Sequence, residues 1–331
     1  MALRSVTVRR IAALFVAVLA APGTWLRSPL PEPDYRPILT IDPLDAGSGQ
    51  AGRFEIAGVW QLRSPNSHFG GYSALVALPD GRLLAASDHG RFLRFAPPGA
   101  APRAASRAPE FGAIGGSVHA RKNAVDVEAL TAAPGAARIW AAYEGSNTIV
   151  RFDPALRHGE GHAPSAMRRW SGNGGPESLA RLPDGRFLAI EEGAPTAGST
   201  TAALLFPGDP VEGGEPIAFR YAAPEGYRPS DAAALPDGRV LILHRRVTIG
   251  LPYAFATTIA IADPAAIRPG RIWRGREVAA IAAPLPADNF EGLAVVPRSD
   301  GSVTVWLISD DNRGVLQRTL LYRLEVDPAR L

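Results

Sequence analysis

No cysteine occurs among the 331 residues of this chain. It therefore has no disulfides to stabilise it, no thiolates for a metal, and no lipid anchor through a cysteine. Lysine is almost as scarce, Lys122 being the single one among 35 basic residues, which reads as GC-rich coding. The formal net charge of +3 falls to zero once Arg4, Arg9 and Arg10 at the extreme N-terminus are set aside. A polyanion-binding surface needs clustered cations on the folded part, so nucleic acid is excluded as a partner. Apolar residues at helical spacing are missing after the first 25 or so residues. Also missing are a Gly-x-Ser-x-Gly elbow, a phosphate-cradling glycine loop and a His-Glu-x-x-His helix.

What is present begins with "MALRSVTVRRIAALFVAVLAAPG". A basic start, an apolar run from Ile11 to Ala21 and small residues around Ala20 have the layout of a secretory signal over residues 1–21. The run is short for a spanning helix. The expected chain is therefore periplasmic or secreted, with no stable membrane span after processing, the alternative being retention as an anchor.

Glycine (34) and proline (31) punctuate the rest. They mark one design used five times, as in "YSALVALPDGRLLAASDHG" (72–90), "PESLARLPDGRFLAIEEG" (176–193) and "FEGLAVVPRSDGSVTVWLISDD" (290–311). Each copy is an apolar strand, a Pro-Asp-Gly or related turn, and a second apolar strand ending in polar residues. Proline presets φ for the turn and glycine accepts positive φ, which makes this a hairpin signal. Third strands follow at "RFLRFAP", "NTIVRFDP", "AALLFPG", "ATTIAIADP" and "TLLYRLEVDP", and fourth strands are expected at "AMRRW", "PIAFRY" and "EVAAIAA".

Six positions before each turn proline stand Ser73, Glu128, Glu177, Ser230 and Glu291, at steps of 55, 49, 53 and 61 residues. Four antiparallel strands repeated at such a period predict an all-β β-propeller, with five blades preferred and six possible if "RPILTID" forms a degenerate blade. The last repeat lacks a fourth strand, and "RFEIAGVWQLR" (53–63) is left over, so both termini are expected to close the ring. The expected organisation is a signal at 1–21, a linker or N-terminal extension at 22–52, and one propeller domain over 53–331.

A hairpin puts the start of its first strand beside the end of its second. The five residues above should therefore meet Asp88, Glu144, Glu192, Arg245 and Asp310 at one mouth of the central channel. Carboxylates so crowded repel one another and invite a hard divalent cation, Ca²⁺ or Mg²⁺ in preference to Zn²⁺. Glu128, Glu177, Glu291, Asp88 and Asp310 are the candidate metal ligands, with amide oxygens from Asn289, Asn173 and Asn147 in support. The alternative is that each acid accepts hydrogen bonds from neighbouring backbone amides and props the inner strands. His89 is a candidate base, and Arg245 a candidate to bind a substrate phosphate or carboxylate or to pair with the acids opposite.

At "DVEAL" (126–130), "NGGPESLARLPDGRFLAIEE" (173–192), "LPDGRVLILHRR" (235–246), "NFEGLAVV" (289–296) and "LISDDNRGVLQRTLLYRLEV" (307–326) the chain resembles the phytase-like family described as "esterase-like activity of phytase". The resemblance implies a secreted or periplasmic β-propeller with phosphoesterase or esterase activity. Two readings follow. One is a monomeric, calcium-dependent hydrolase of a small-molecule ester or phosphoester, a lactonase being a further variant. The other is a non-catalytic propeller that binds an envelope ligand or protein around a structural metal.

Overall fold

A computed structural model describes residues 32–45, 49–116, 125–171, 174–193, 198, 200–248, 250, 254–314 and 316–331. The expected signal at 1–21 lies outside them, as do Asn173 and Lys122.

The fold starts from its turns. In "LPDGR" at 78–82, the Leu78 amide donates to the Arg82 carbonyl (2.8 Å) and the Gly81 amide to the Leu78 carbonyl (3.0 Å). Gly81 there has φ +84°, open to glycine at no steric cost. The Asp80 carboxylate accepts from the Arg82 backbone amide (3.2 Å) and from its Nε (2.9 Å). The same carboxylate-to-arginine clasp recurs at Asp184 with Arg186 and at Asp237 with Arg239. Asp and Arg two residues apart thus lock three of the five turns, and the apolar runs on either side zip into antiparallel pairs.

Five sheets result. Blade one holds Tyr72–Ala77, Leu83–Ser87, Arg91–Phe95 and Glu110–Ala113. Blade two holds Val127–Ala132, Ile139–Tyr143, Thr148–Phe152 and Glu160–His162. Blade three runs Pro176–Arg181, Phe187–Glu191, Thr201–Phe206 and Ile217–Ala222, with the short parallel strand Ile272–Arg274 on its outer edge. Blade four holds Arg228–Ala234, Val240–Thr248, Ala254–Ala262 and Arg276–Ile281. Blade five starts with Asn289–Pro297, Val303–Asp310 and Thr319–Val326, and its fourth strand is the early segment Phe54–Arg63, paired antiparallel from Thr319↔Leu62 to Glu325↔Glu55. The first strand of each blade packs against that of the next, and blade five returns to blade one, closing a five-membered ring.

Two features differ from the sequence expectation. Residues 40–51, assigned to a linker or extension, carry Thr40–Leu44 and Gln50–Ala51, which pair with Phe54–Arg63 and extend blade five outward. A sixth blade is therefore not formed by "RPILTID". "AMRRW" is not the fourth strand of blade two: Ser165–Met167 is a 3-10 turn that buries Met167, and Trp170 is buried nearby. The true fourth strand, Glu160–His162, is exposed throughout. An outermost strand with both faces in water needs no apolar pattern, so apolarity pointed to the wrong segment.

Apolar side chains gather into five clusters, one between each pair of adjacent blades. Leu62, Trp306 and Ile308 of blade five, for instance, pack with Leu75, Leu83 and Phe95 of blade one. Ring closure is thus a hydrophobic requirement as well as a hydrogen-bonded one, since an open ring would leave two such faces wet. The channel end away from the polar strand ends is lined mainly by small apolar residues such as Ala77, Ala132, Ala233 and Val295.

Candidate metal centre at the channel mouth

Each innermost strand is irregular at the same place. The register with its partner slips at Tyr72/Ala74, Val127/Ala129, Pro176/Ser178, Pro229/Asp231 and Phe290/Gly292. The extra residues are Ser73, Glu128, Glu177, Ser230 and Glu291, the five that stand six positions before the turn prolines. A β-bulge of this kind bends the strand and re-aims a side chain. Here it turns the three glutamates into the channel mouth. The glycine after the last of them is required by packing: a Cβ on Gly292 would lie 2.9 Å from the backbone carbonyl carbon of Ala74 in blade one.

Together with the residue two positions before the bulge and the polar end of the second strand, every blade has three equivalent positions around the mouth. Blade one offers Gly71, Ser73 and Asp88. Blade two offers Asp126, Glu128 and Glu144, blade three Gly175, Glu177 and Glu192. Blade four offers Arg228, Ser230 and Arg245, and blade five Asn289, Glu291 and Asp310. A cavity of about 510 Å³ opens at this mouth, lined from all five blades. Eight of its lining side chains are carboxylates (Asp88, Asp126, Glu128, Glu144, Glu177, Glu192, Glu291 and Asp310), against the single guanidinium of Arg245.

The two serines do not face a ligand. Ser73 Oγ donates to the Val127 carbonyl of blade two, and Ser230 Oγ to the Phe290 carbonyl of blade five (3.1 Å). Each therefore clasps the backbone just before the next blade's bulged glutamate. The propping role expected as an alternative for the acids is filled by Asp231. Its carboxylate, fully buried, accepts from the Ala232 amide (2.8 Å) and from the Leu293 amide of blade five (2.7 Å).

Arg245 is ion-paired with two acids. Its Nη2 donates to Glu192 Oε1 (2.9 Å), its Nε lies 3.3 Å from Glu291 Oε1, and Nη1 reaches Asn289 Oδ1 (3.5 Å). Arg228 adds a second guanidinium 2.9 Å from Glu192 Oε2. Burial works against the Arg245 charge, but Glu291, Glu177 and Glu192 hold its pKa above the ordinary arginine range. Glu291 also accepts from Asn289 Nδ2 (2.7 Å).

On the blade-two side the carboxylates of Asp126, Glu128 and Glu144 each place an oxygen within 4.8 Å of the others. Glu128 is 9% and Glu177 4% exposed. Among the described residues no hydrogen bond or close ion pair reaches either of them. Burial, followed by the charges of Glu177, Glu291, Asp126 and Glu144, raises the Glu128 pKa well above the usual carboxylate range. Burial likewise raises Glu177, with Arg245 only partly opposing it. Asp310 is pushed up to about 8 by burial and by the Glu291 charge, despite an amide donor from Asn312 (2.7 Å). Three carboxylates converging in this way, with Glu128 nine-tenths buried and unpartnered among the described residues, suit a hard divalent cation. Glu128, Glu177, Glu291, Asp88 and Asp310 thus all line one cavity, but the tight cluster joins Glu128 to Asp126 and Glu144.

His89 stands outside the lining of this cavity. Its Nδ1 is hydrogen-bonded to Asp88 Oδ1, and its ring is well exposed. Asn147 turns its Nδ2 to the Trp170 carbonyl (3.1 Å). Asp126 was not singled out as a ligand from sequence. Its signal was the two-residue spacing to Glu128 in "DVEAL", which on a strand puts two acids on one face.

The family described as "Esterase-like activity of phytase" matches residues 67–313, well over half of the chain. No curated protein matches in sequence. Among solved structures, the PQQ-bound aldose sugar dehydrogenase of Streptomyces coelicolor aligns at 14% identity over 88% of this chain and 99% of its own, with a TM-score of 0.44. The gluconolactonase XC5397 of Xanthomonas campestris aligns at 11% identity over 86% and 97%, with a TM-score of 0.43.

Proposed function

We propose, since this chain belongs to the phytase-like family, that it hydrolyses phosphate or carboxylic esters at the acidic channel mouth with a cation held by Asp126, Glu128 and Glu144. The observation that carries the reading is the convergence on blade two: carboxylate oxygens of Asp126, Glu128 and Glu144 lie within 4.8 Å of one another, with Glu128 nine-tenths buried, in a cavity lined by eight carboxylates among its described residues. A hard divalent cation, calcium by preference, would there polarise the ester oxygen. The protein's own groups supply the rest. Arg245, pinned between Glu192 and Glu291, holds those two acids stationary. Asp310, with its raised pKa, carries a proton at neutral pH that a leaving oxygen can receive. The Asp88–His89 pair on the rim orients an imidazole within reach of the mouth and moves protons to and from solvent. Export to the periplasm or medium, with removal of the first 20 or so residues, completes the proposal.

A screen of the purified protein against phosphomonoesters, lactones and acyl esters, with calcium and with chelator, tests this reading. Calcium-dependent turnover of one ester class is expected, with E128Q inactive. Turnover indifferent to calcium, chelator and E128Q would refute it. A second reading, a ligand-binding propeller with a structural cation, is favoured by Arg245, whose guanidinium is already ion-paired with Glu192 and Glu291. Calcium binding without turnover of any ester would select it.

A further inference from the structure

The acidic mouth has one wall of a different kind. In blades one to three the second strand is five residues long and ends at the mouth, at Ser87, Tyr143 and Glu191. In blade four it is nine residues long, Val240–Thr248, and pairs residue for residue with Ala254–Ala262. The hairpin therefore continues three residues beyond Arg245, standing above the mouth on one side.

Alternation along a strand decides what this extension shows the cavity. Arg245 and Val247 share a face, and Val247 is paired with Phe255. Both Val247 and Phe255 line the cavity, as the only apolar side chains among its described lining residues. Val247 is 42% exposed and Phe255 is half-buried. Arg246, on the opposite face, lies 4.6 Å over the Tyr227 ring, which fixes the extension to the loop before the first strand of blade four. An exposed apolar pair fixed over eight carboxylates is a contact surface for the uncharged part of a ligand.

Charge decides the other part. Among the described lining residues carboxylates outnumber guanidiniums eight to one, so a phosphate monoester or a polyphosphate meets more acids than bases at this mouth. We propose that Val247 and Phe255 are specificity-determining residues that receive the apolar arm of an uncharged carboxylic ester or lactone, whose ester group faces the carboxylates. The inference rests on the ester-hydrolase reading for its chemistry, in which water adds to the acyl carbon and the C–O bond breaks to give acid and alcohol. The apolar contact itself does not depend on turnover.

The test uses the calcium-loaded full-length protein. Values of kcat/KM are measured for p-nitrophenyl acetate, p-nitrophenyl butyrate, p-nitrophenyl phosphate and inositol hexakisphosphate. The Kd of p-nitrobutyranilide, a neutral amide that an esterase consumes slowly, is measured by calorimetry. Two more buried CH₂ groups should favour butyrate over acetate by roughly tenfold, and both phosphate substrates should lie at least a hundredfold below. F255S and, separately, V247S should raise KM for butyrate and Kd for the anilide about tenfold while leaving acetate unchanged. Both side chains are at least partly solvent-exposed, so the variants should melt like the wild type. Phosphate esters turned over as well as butyrate, or equal losses on acetate and butyrate, would overturn the proposal. If no ester is hydrolysed, the ester-hydrolase reading falls alone. Anilide binding weakened by F255S would then support the apolar wall, and a wild type that does not bind the anilide would overturn it.

Discussion

Blades two and four occupy equivalent places in the ring, yet they present opposite chemistry to the same channel mouth. At the three equivalent positions blade two carries Asp126, Glu128 and Glu144, and blade four carries Arg228, Ser230 and Arg245. The first strand carries the same bulge in both. At these three positions the difference lies in the side chains, and it divides a ring of acids into two parts. Glu192 and Glu291 face guanidiniums and are neutralised within the protein. Glu128 has no such partner, and its neighbours Asp126 and Glu144 are themselves acids. A uniform ring of carboxylates would hold cations diffusely. Two arginines on one side leave Glu128, on the other, as a buried carboxylate with no guanidinium against it among the described residues, which is where the proposed cation would sit.

The comparison can be broken most forcefully at Arg245. R245M removes the charge between Glu192 and Glu291 and should lower stability by about 3 kcal/mol without calcium, the usual cost of leaving buried partners unpaired. Calcium should restore much of it, and calorimetry should find a second equivalent bound. A variant that melts like the wild type and still binds one equivalent would show that the arginine is not an internal counter-ion. On the opposite side, calcium at a hundred times its Kd should stabilise the wild type by about 2.7 kcal/mol. E128Q should abolish that increment, whereas E192Q, on the compensated side, should keep most of it. Melting curves with added calcium or chelator decide this.

Protonation sharpens the same contrast. The pKa values of Glu128, Glu177, Glu291 and Asp310 are raised in the folded protein, so the folded state binds more protons than the unfolded one above pH 4. Calcium-free stability should therefore fall as pH rises from about 4 towards 8, the Asp310 value, by up to about 1.4 kcal/mol per pH unit for each proton. Calcium should flatten the curve, because it replaces protons as the compensating charge. A melting temperature that rises over this range without calcium would contradict the crowded-carboxylate account. The smallest effect belongs to the serine clasps. S73A and S230A each lose one hydrogen bond to the next blade and should cost about 1 kcal/mol, with calcium affinity lower in both because the clasped carbonyls precede Glu128 and Glu291.

Much of the fold was legible because its signals are local. The Leu-Pro-Asp-Gly-Arg turns name their own hydrogen bonds, and a strand without a partner at residues 53–63 implied closure with the strand at 319–326, which the pairing shows. The fourth strand of blade two was not legible, because an exposed strand such as Glu160–His162 carries no apolar pattern. The acids at the mouth could be gathered by register alone. Their division could not: Asp126 lies just before its strand begins, and Arg245 meets Glu192 and Glu291 across 53 and 46 residues of chain.

By itself, then, the sequence determined the repeat, the number of hairpins and the end of each hairpin at which polar residues accumulate, since turn chemistry and strand periodicity act over a few residues. Only the tertiary structure decided which carboxylates are neutralised and which are left to converge. That outcome depends on side chains from different blades meeting across a closed ring, and on a one-residue bulge in each inner strand whose position no periodicity announces. Burial then raises the pKa of those that remain unpaired, because a charge withdrawn from water must find a partner or a proton.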